Sequence, residues 1–142
     1  MQKFVLISLL AFAGAASAAD DARILASLPT PAVEVLRDEM RANMLTLNEI
    51  LILVAEGKVK EAGIKAEQEL GVSSMGRHRD KPFAARPGPH MPPEMHALGM
   101  EGHKSASEFA RIAASGEYNK TVAALPRLTS ACVSCHAVYR IR

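Results

Sequence analysis

Aromatic residues and cysteines are scarce in this chain. Phe, Trp and Tyr make up 4% of its 142 residues, tryptophan is absent, and there are only two cysteines. A structural zinc site normally needs four Cys or His ligands at matching spacing, and no second pair accompanies these two. Nor do alternating apolar and polar runs indicate a β-sheet, so a thioredoxin-like site beside a βαβ unit is not predicted.

An excess of charge is also lacking. The formal net charge is +2, and Lys3 contributes to it in a segment that we expect to be removed. The remaining chain is close to neutral, which gives no argument for nucleic acid or an anionic membrane surface as a partner.

The N-terminus has the features of a secretory signal. Lys3 precedes an apolar run from Phe4 to Ala13, and Ala16-Ser17-Ala18 offers a small-x-small cleavage site. The apolar run is well short of the ~20 residues that span a bilayer, so no membrane anchor is expected. We predict a signal peptide over residues 1–19, one domain over residues 20–142, and a periplasmic location.

The most informative motif is Cys132-Val133-Ser134-Cys135-His136. CxxCH is the attachment signature of a c-type haem, in which two thiols bond the porphyrin and the histidine ligates the iron. On a helix these three side chains stand at i, i+3 and i+4, on one face, as a flat macrocycle requires. Other interpretations are a disulfide, half of a zinc site and a redox dithiol. We expect one covalent haem c per chain, and its attachment outside the cytoplasmic membrane agrees with export.

Helical periodicity covers most of the predicted domain. The predicted helices are Pro31–Glu56, Lys58–Leu70, Pro92–Ser115 and Glu117–Tyr139. Thr30 is the expected N-cap of the first helix, and Gly57 its stop. Pro126 predicts a kink or a helix restart inside the fourth. The expected fold is an all-α, up-down-up-down four-helix bundle, which places the long loop Val72–Met91 at the same end as the haem motif.

The first helix has two notable properties. Its predicted core-facing stripe comprises Val33, Leu36, Met40, Met44, Leu47, Leu51 and Val54. From Leu45 to Ala55 the helix is apolar nearly all round, which is typical of a deeply buried or shared helix. We therefore expect a homodimer through helix one, with helix two.

The C-terminal run from Cys132 to Arg140, with its CxxCHxxYR pattern, resembles the ending of cytochrome c′ and its six-coordinate relatives. The resemblance extends to helix order, although only this tail is specific and the Val72–Met91 loop departs from the family. It implies that His136 is the proximal iron ligand and that Arg140 lies close to the haem. It also implies that the first helix supplies the opposite haem face, with either a bulky apolar residue or a methionine.

Met40 is the first candidate for a sixth ligand, and Met44 is the alternative. Met40 and the motif lie at similar depths from the same end of the bundle, at ~1.5 Å rise per residue. Arg37 precedes Met40 by three residues, and in the family a basic residue precedes the ligand by about a turn; Arg37 is therefore also expected near the haem. Methionine on an apolar stripe is also ordinary core filler. Further candidates occur in the loop and third helix: Met75, His78, His90, Met91, Met95, His96, Met100 and His103.

Axial ligation decides the class of function. Histidine–methionine ligation suits a periplasmic mono-haem electron carrier with a separate redox partner protein. An open sixth position would suit a protein that binds nitric oxide or carbon monoxide, and a third interpretation is a haem subunit of a periplasmic oxidoreductase complex. We find no general acid or base beside a substrate pocket, so an enzyme is not predicted.

Overall fold

The computed structural model describes residues 20–142, which form four α-helices and one very short pair of strands. The helices are α1 (Thr30–Ala55), α2 (Val59–Glu69), α3 (Pro93–Ala113) and α4 (Tyr118–Val138). Each begins and ends within two residues of its predicted bounds, so the all-α class and the four helices are confirmed. None of the helices in residues 20–142 combines the length and apolar character needed to cross a membrane. The predicted signal peptide lies outside the described residues.

Proline and glycine set the helix ends. Pro31 lies in the first turn of α1, where its missing N–H costs nothing. Gly57 and Gly116 follow α1 and α3 with φ of 75° and 77°, a left-handed conformation that glycine adopts without a steric penalty and that ends a helix. Thr30 as N-cap is wrong. Pro29 occupies that position and its carbonyl accepts the first amide hydrogen bonds, so the helix starts one residue earlier.

Consecutive helices pack side by side and run antiparallel. Gly63, near the start of α2, lies against Ala113 at the end of α3. The carbonyl of Leu70, just past α2, accepts a hydrogen bond from His103 nearer the start of α3. The connection from α2 to α3 contains only short 3₁₀ turns, at Val72–Ser74, Phe83–Ala85 and Gly88–His90, so the predicted long loop is confirmed.

The interior divides into two apolar clusters. The larger cluster lies at the end of the bundle with the two short connections, and small residues pack there around Phe109. This packing explains how the fold forms a core with few aromatic residues. The members of the cluster are Ile50, Val54, Ala62, Ala66, Ala106, Phe109, Ala113 and Leu128. The second is called here the Cys135 cluster. Its buried members are Ala26, Leu36, Met95 and Tyr139, and its partly buried members are Leu28, Met40, Met91, Leu98, Cys135 and Ile141.

Helices α1 and α4 scarcely touch, in contrast to the other neighbouring helices. The α1 stripe explains part of this separation. Met44 and Leu51, which we expected to face the core, are 66% and 45% exposed, while Thr46 and Ile50 are buried. The expected stripe follows a repeat of 3.5 residues, which drifts around a straight helix of 3.6 residues per turn. Two of its positions therefore turn away from the interior.

Helix α4 passes through Pro126 without a restart, so of the two predicted alternatives, a kink or a restart, the restart is wrong. Pro126 removes one backbone hydrogen bond, namely the one that the carbonyl of Val122 would accept. Both residues are on the exposed side of the helix, where solvent can hydrogen-bond a freed carbonyl, so the helix can continue.

A parallel strand pair joins the two ends of the domain, and the sequence did not predict it. Strand β1 (Ile24–Leu25) pairs with β2 (Tyr139–Arg140), with Ile24 opposite Tyr139. The pairing continues at Ala26, whose amide donates to the carbonyl of Arg140 at 2.8 Å. The segment preceding α1 is thus fixed against the residues that follow the CxxCH motif.

Candidate functional site

The CxxCH motif occupies the last two turns of α4. Because the helix is continuous from Tyr118 to Val138, Cys132, Cys135 and His136 share one face, as predicted. Ala131 lies against α3, since a Cβ placed on Gly102 would come 3.8 Å from the Cβ of Ala131. Cys132 and His136 lie about 100° and 140° further round the helix than Ala131, whereas Cys135 lies only about 40° from it. Cys132 and His136 are therefore turned away from α3, and Cys135 stays beside it.

The two thiols differ in their surroundings. Cys132 is exposed and Cys135 is partly buried, and neither forms a disulfide. Nearby protein atoms desolvate both groups and raise their pKa values, and the neighbouring Cys132 raises that of Cys135 further. Both thiols are consequently neutral at pH 7. Their protonated state matches the addition of a thiol across a vinyl group, in which the S–H proton ends on the former vinyl carbon.

Three methionines share an apolar cluster with Cys135. Met40 from α1, Met91 from the end of the long loop and Met95 from α3 all belong to the Cys135 cluster. Met95 is only 7% exposed, and Met40 and Met91 are partly buried. The cluster at the second motif cysteine thus contains methionines from three elements that are distant in sequence.

Met40 and Met44 occupy different environments, although they are one turn apart. Met40 packs in the Cys135 cluster, whereas Met44 is exposed and absent from it. In one cluster, Leu36 and Met40 of α1 occur with Cys135 and Tyr139. In the other cluster, Ile50 and Val54 of α1 occur with Leu128 of α4. Helices α1 and α4 thus run antiparallel. Met40 therefore lies level with Cys135, and the structure favours it over Met44 as a residue near the motif.

Most of the candidate histidines have partners elsewhere. The Nε2 atom of His78 lies 3.2 Å from a carboxylate oxygen of Glu39 on α1, and the Nε2 atom of His90 lies 3.1 Å from the carbonyl oxygen of Phe83. His103 bonds the carbonyl of Leu70 through Nδ1 at 2.8 Å. His96 is exposed and lies beside Gly88. Of the two loop methionines, Met91 packs against the Cys135 cluster and Met75 does not. Met75 and Met100 are partly buried outside it.

The two arginines predicted near the motif have different roles in the fold. Arg37 is exposed on α1. Arg140 follows the motif helix in β2, and its Nε atom donates to the carbonyl of Arg23 at 3.2 Å. The same Nε atom lies 3.6 Å from a carboxylate oxygen of Asp21. Arg140 thereby connects the end of the motif region to the start of the domain.

Arg23 is the residue that sequence reasoning missed. Its guanidinium donates to the carbonyl of His136 at 3.3 Å across a separation of 113 residues. No local pattern indicates such a contact. The sequence indicated only weakly that Met91 and Met95 lie near the motif. They stand four residues apart at the beginning of the third helix, at the end of the bundle where the motif was predicted.

Comparison of the chain with protein-family models, with curated proteins and with solved structures gives no match. The assignment of the site therefore depends on its own chemistry. Among residues 20–142 there is no group of three or more His, Cys, Asp or Glu side chains arranged to hold a metal ion. The motif side chains are thus spread along one helix face and do not converge on a common point.

These residues fit a covalently held haem. The site offers two free thiols, an exposed imidazole four residues after the first thiol, and thioether and aliphatic side chains around the second. Helices α1 and α4 scarcely touch, and the apolar side chains of the Cys135 cluster lie at their motif end. A large apolar group held there would be covered by these side chains, which favours its binding through the hydrophobic effect.

Proposed function

We propose that this protein is a periplasmic mono-haem c-type cytochrome that carries electrons to or from a separate redox partner protein. The observation that carries the proposal is the face of α4 on which free Cys132, free Cys135 and His136 stand at i, i+3 and i+4. Cys132 and Cys135 would hold haem c by thioether bonds, and His136 would ligate its iron. When bound, haem supplies one-electron redox chemistry.

The remaining residues would set the properties of that centre. Met40 is the proposed sixth ligand, because it lies in the Cys135 cluster on the helix facing α4. The buried members of the same cluster, such as Leu36 and Met95, exclude water and lower the local dielectric constant. A thioether opposite an imidazole raises the reduction potential and leaves no open position, which suits outer-sphere electron transfer.

A second candidate function is the binding of nitric oxide or carbon monoxide, and one observation favours it. Leu36 lies one turn before Met40 in the same cluster and is only 4% exposed. A buried leucine opposite His136 would leave the iron without a protein ligand on that side. Loss of the methionine bond would have the same effect.

The experiment is expression of the full chain in a bacterium that has a haem-attachment system. We expect an exported protein whose mass under denaturing conditions includes one haem, and whose ferric spectrum shows a weak methionine–iron band at the red edge. Exposure of the reduced protein to carbon monoxide separates the two candidates. An unchanged spectrum supports the electron carrier, and rapid formation of the carbonyl adduct supports gas binding. A full-length protein that carries no covalent haem would contradict both.

A further inference from the structure

The last turn of α4 has a carbonyl that its own helix does not satisfy. In an α-helix the carbonyl of His136 would accept from the amide of Arg140, but Arg140 belongs to β2. Arg23, from the other end of the domain, donates to this carbonyl instead. The cap of the motif helix is therefore supplied by a residue 113 positions away.

Arg23 is itself held by Asp21 and Arg140. The Asp21 carboxylate accepts two hydrogen bonds from the Arg23 guanidinium, at 2.9 and 2.7 Å. The backbone carbonyl of Arg23 accepts from Arg140, and Arg140 lies within ion-pair distance of Asp21. Asp21, Arg23 and Arg140 are called here the terminal clasp. An isolated exposed ion pair contributes little, but a two-point arginine–carboxylate contact within a network is ordered more strongly.

We propose that the terminal clasp positions His136, by fixing the turn of α4 that carries the iron-ligating imidazole. This inference rests on the proposed function for its purpose. Arg23, Asp21 and Arg140 are positioning residues, because the contact passes to the backbone of His136 and not to its ring. A frayed last turn would let the imidazole change its orientation, which alters the strength of its bond to iron.

The test compares Arg23→Gln with Arg111→Gln in the haem-loaded full chain. Arg111 forms a similar exposed ion pair with Glu108 on α3, so the control removes an equivalent charge away from the motif helix. We expect Arg23→Gln to accelerate amide hydrogen exchange at Ala137–Tyr139 by about three- to tenfold, as expected for the loss of one solvent-exposed hydrogen bond of ordinary net strength. We also expect a shifted reduction potential and altered paramagnetic NMR signals of His136. Arg111→Gln should change none of these.

The possible outcomes distinguish a failure of the positioning role from a failure of the proposed function. Wild-type protein without covalent haem would overturn the proposed function, and the positioning role with it. Haem-loaded Arg23→Gln that matches Arg111→Gln in exchange and spectrum would overturn the clasp alone. Faster exchange with unchanged potential and unchanged His136 signals would show a merely structural tie, and would also overturn the positioning role. Asp21→Asn provides a second variant if Arg23→Gln does not accumulate, with a smaller effect in the same direction.

Discussion

Cys135 connects the covalent chemistry of the motif to the packing of the domain. It is partly buried among Leu36, Met95 and Tyr139, whereas Cys132 is exposed. A change at Cys135 would therefore remove a proposed thioether bond and also disturb the cluster, while a change at Cys132 would remove only the proposed bond.

Cys132→Ser and Cys135→Ser should each reduce haem retention, and the double variant should be poorly folded and sensitive to protease. Haem that binds only the native state stabilises it, and covalent attachment makes that stabilisation permanent. Bound haem is measured by absorbance after denaturing gel filtration, and folding by circular dichroism. If the double variant keeps the helical content and melting temperature of the wild type, haem is not part of the core.

Met40→Ala should convert a low-spin iron that is insensitive to carbon monoxide into one that binds it readily, because the thioether in the Cys135 cluster is lost. The carbonyl spectrum of the reduced protein provides the measurement. Met44→Ala is the matched control: its side chain is 66% exposed, so we expect an unchanged spectrum and a stability cost within about 0.5 kcal/mol.

A variant of Met95 tests whether α3, instead of α1, supplies the proposed methionine ligand. Met95→Ala removes a side chain that is 7% exposed, so it should lower the free energy of unfolding by about 2–5 kcal/mol without opening the iron to carbon monoxide. Urea denaturation gives the first quantity and the carbonyl spectrum the second. If Met95→Ala binds carbon monoxide and Met40→Ala does not, the sixth ligand comes from α3.

At the scale of whole elements, the contact between α2 and α3 depends on Gly63. A Cβ added there would come 2.8 Å from the Cβ of Ala113 and 3.1 Å from the carbonyl oxygen of Ala110. Gly63→Ala should therefore force the helices apart and lower the free energy of unfolding by about 1–3 kcal/mol. In Gly99→Ala the new methyl group meets nothing within 4 Å, so helix propensity should make that variant more stable, by up to about 1 kcal/mol. Thermal melting of both variants measures the contrast.

The strand pair should respond to acid. Hydrogen bonds from Arg23, and the charge of Arg140, hold the pKa of Asp21 at about 2, below its ordinary value of 3.8. A lowered carboxyl pKa stabilises the folded state above the ordinary value, and that contribution is lost as the pH falls from about 4 towards 2. Amide exchange or NMR shifts of Ala26 and Arg140 should change over this interval. Asp21→Asn should remove the pH step, and a step that persists in this variant would assign it to another group.

The helices could be predicted from sequence because their ends are marked locally, by Pro31, Gly57 and Gly116. The motif could be predicted for the same reason, since three side chains at i, i+3 and i+4 need only one helix to share a face. The contact of Arg23 with His136 could not be predicted. It depends on the pairing of two strands of two residues each, which are too short to produce a recognisable alternation of apolar and polar residues. The burial of Met44 was wrongly predicted, since the exposed side of a long helix depends on which neighbours pack against it.

At the scale of the whole molecule, α1 presents an uncovered apolar surface. Met44, Leu45, Leu51 and Ile52 are 66%, 68%, 45% and 48% exposed, and their spacing by seven residues puts them on one broad outer side of the helix. A two-fold interface would bury this side on both partners, and we retain the expectation of a homodimer through α1.

Leu45→Glu should shift the protein from dimer to monomer in sedimentation experiments at micromolar concentration, because it would place charges within the predicted interface. Ile64→Glu tests the expected contribution of α2 to the interface, because its side chain is 58% exposed on that helix. Dissociation by both variants would extend the interface to α2, as first expected. A wild-type protein that sediments only as a monomer would contradict the homodimer.

The pairing of Ile24 with Tyr139 also imposes an order of events during biogenesis. Strand β1 is synthesised early, but its partner follows 115 residues later, so β1 stays unpaired until almost the whole domain has been made. Local helical hairpins close first, and a contact between such distant residues closes last. The thiols of Cys132 and Cys135 therefore emerge before the pairing forms. Under the proposed function, the attachment machinery would meet an open C-terminal end, and the N-terminal segment would close over a motif that already carries its haem.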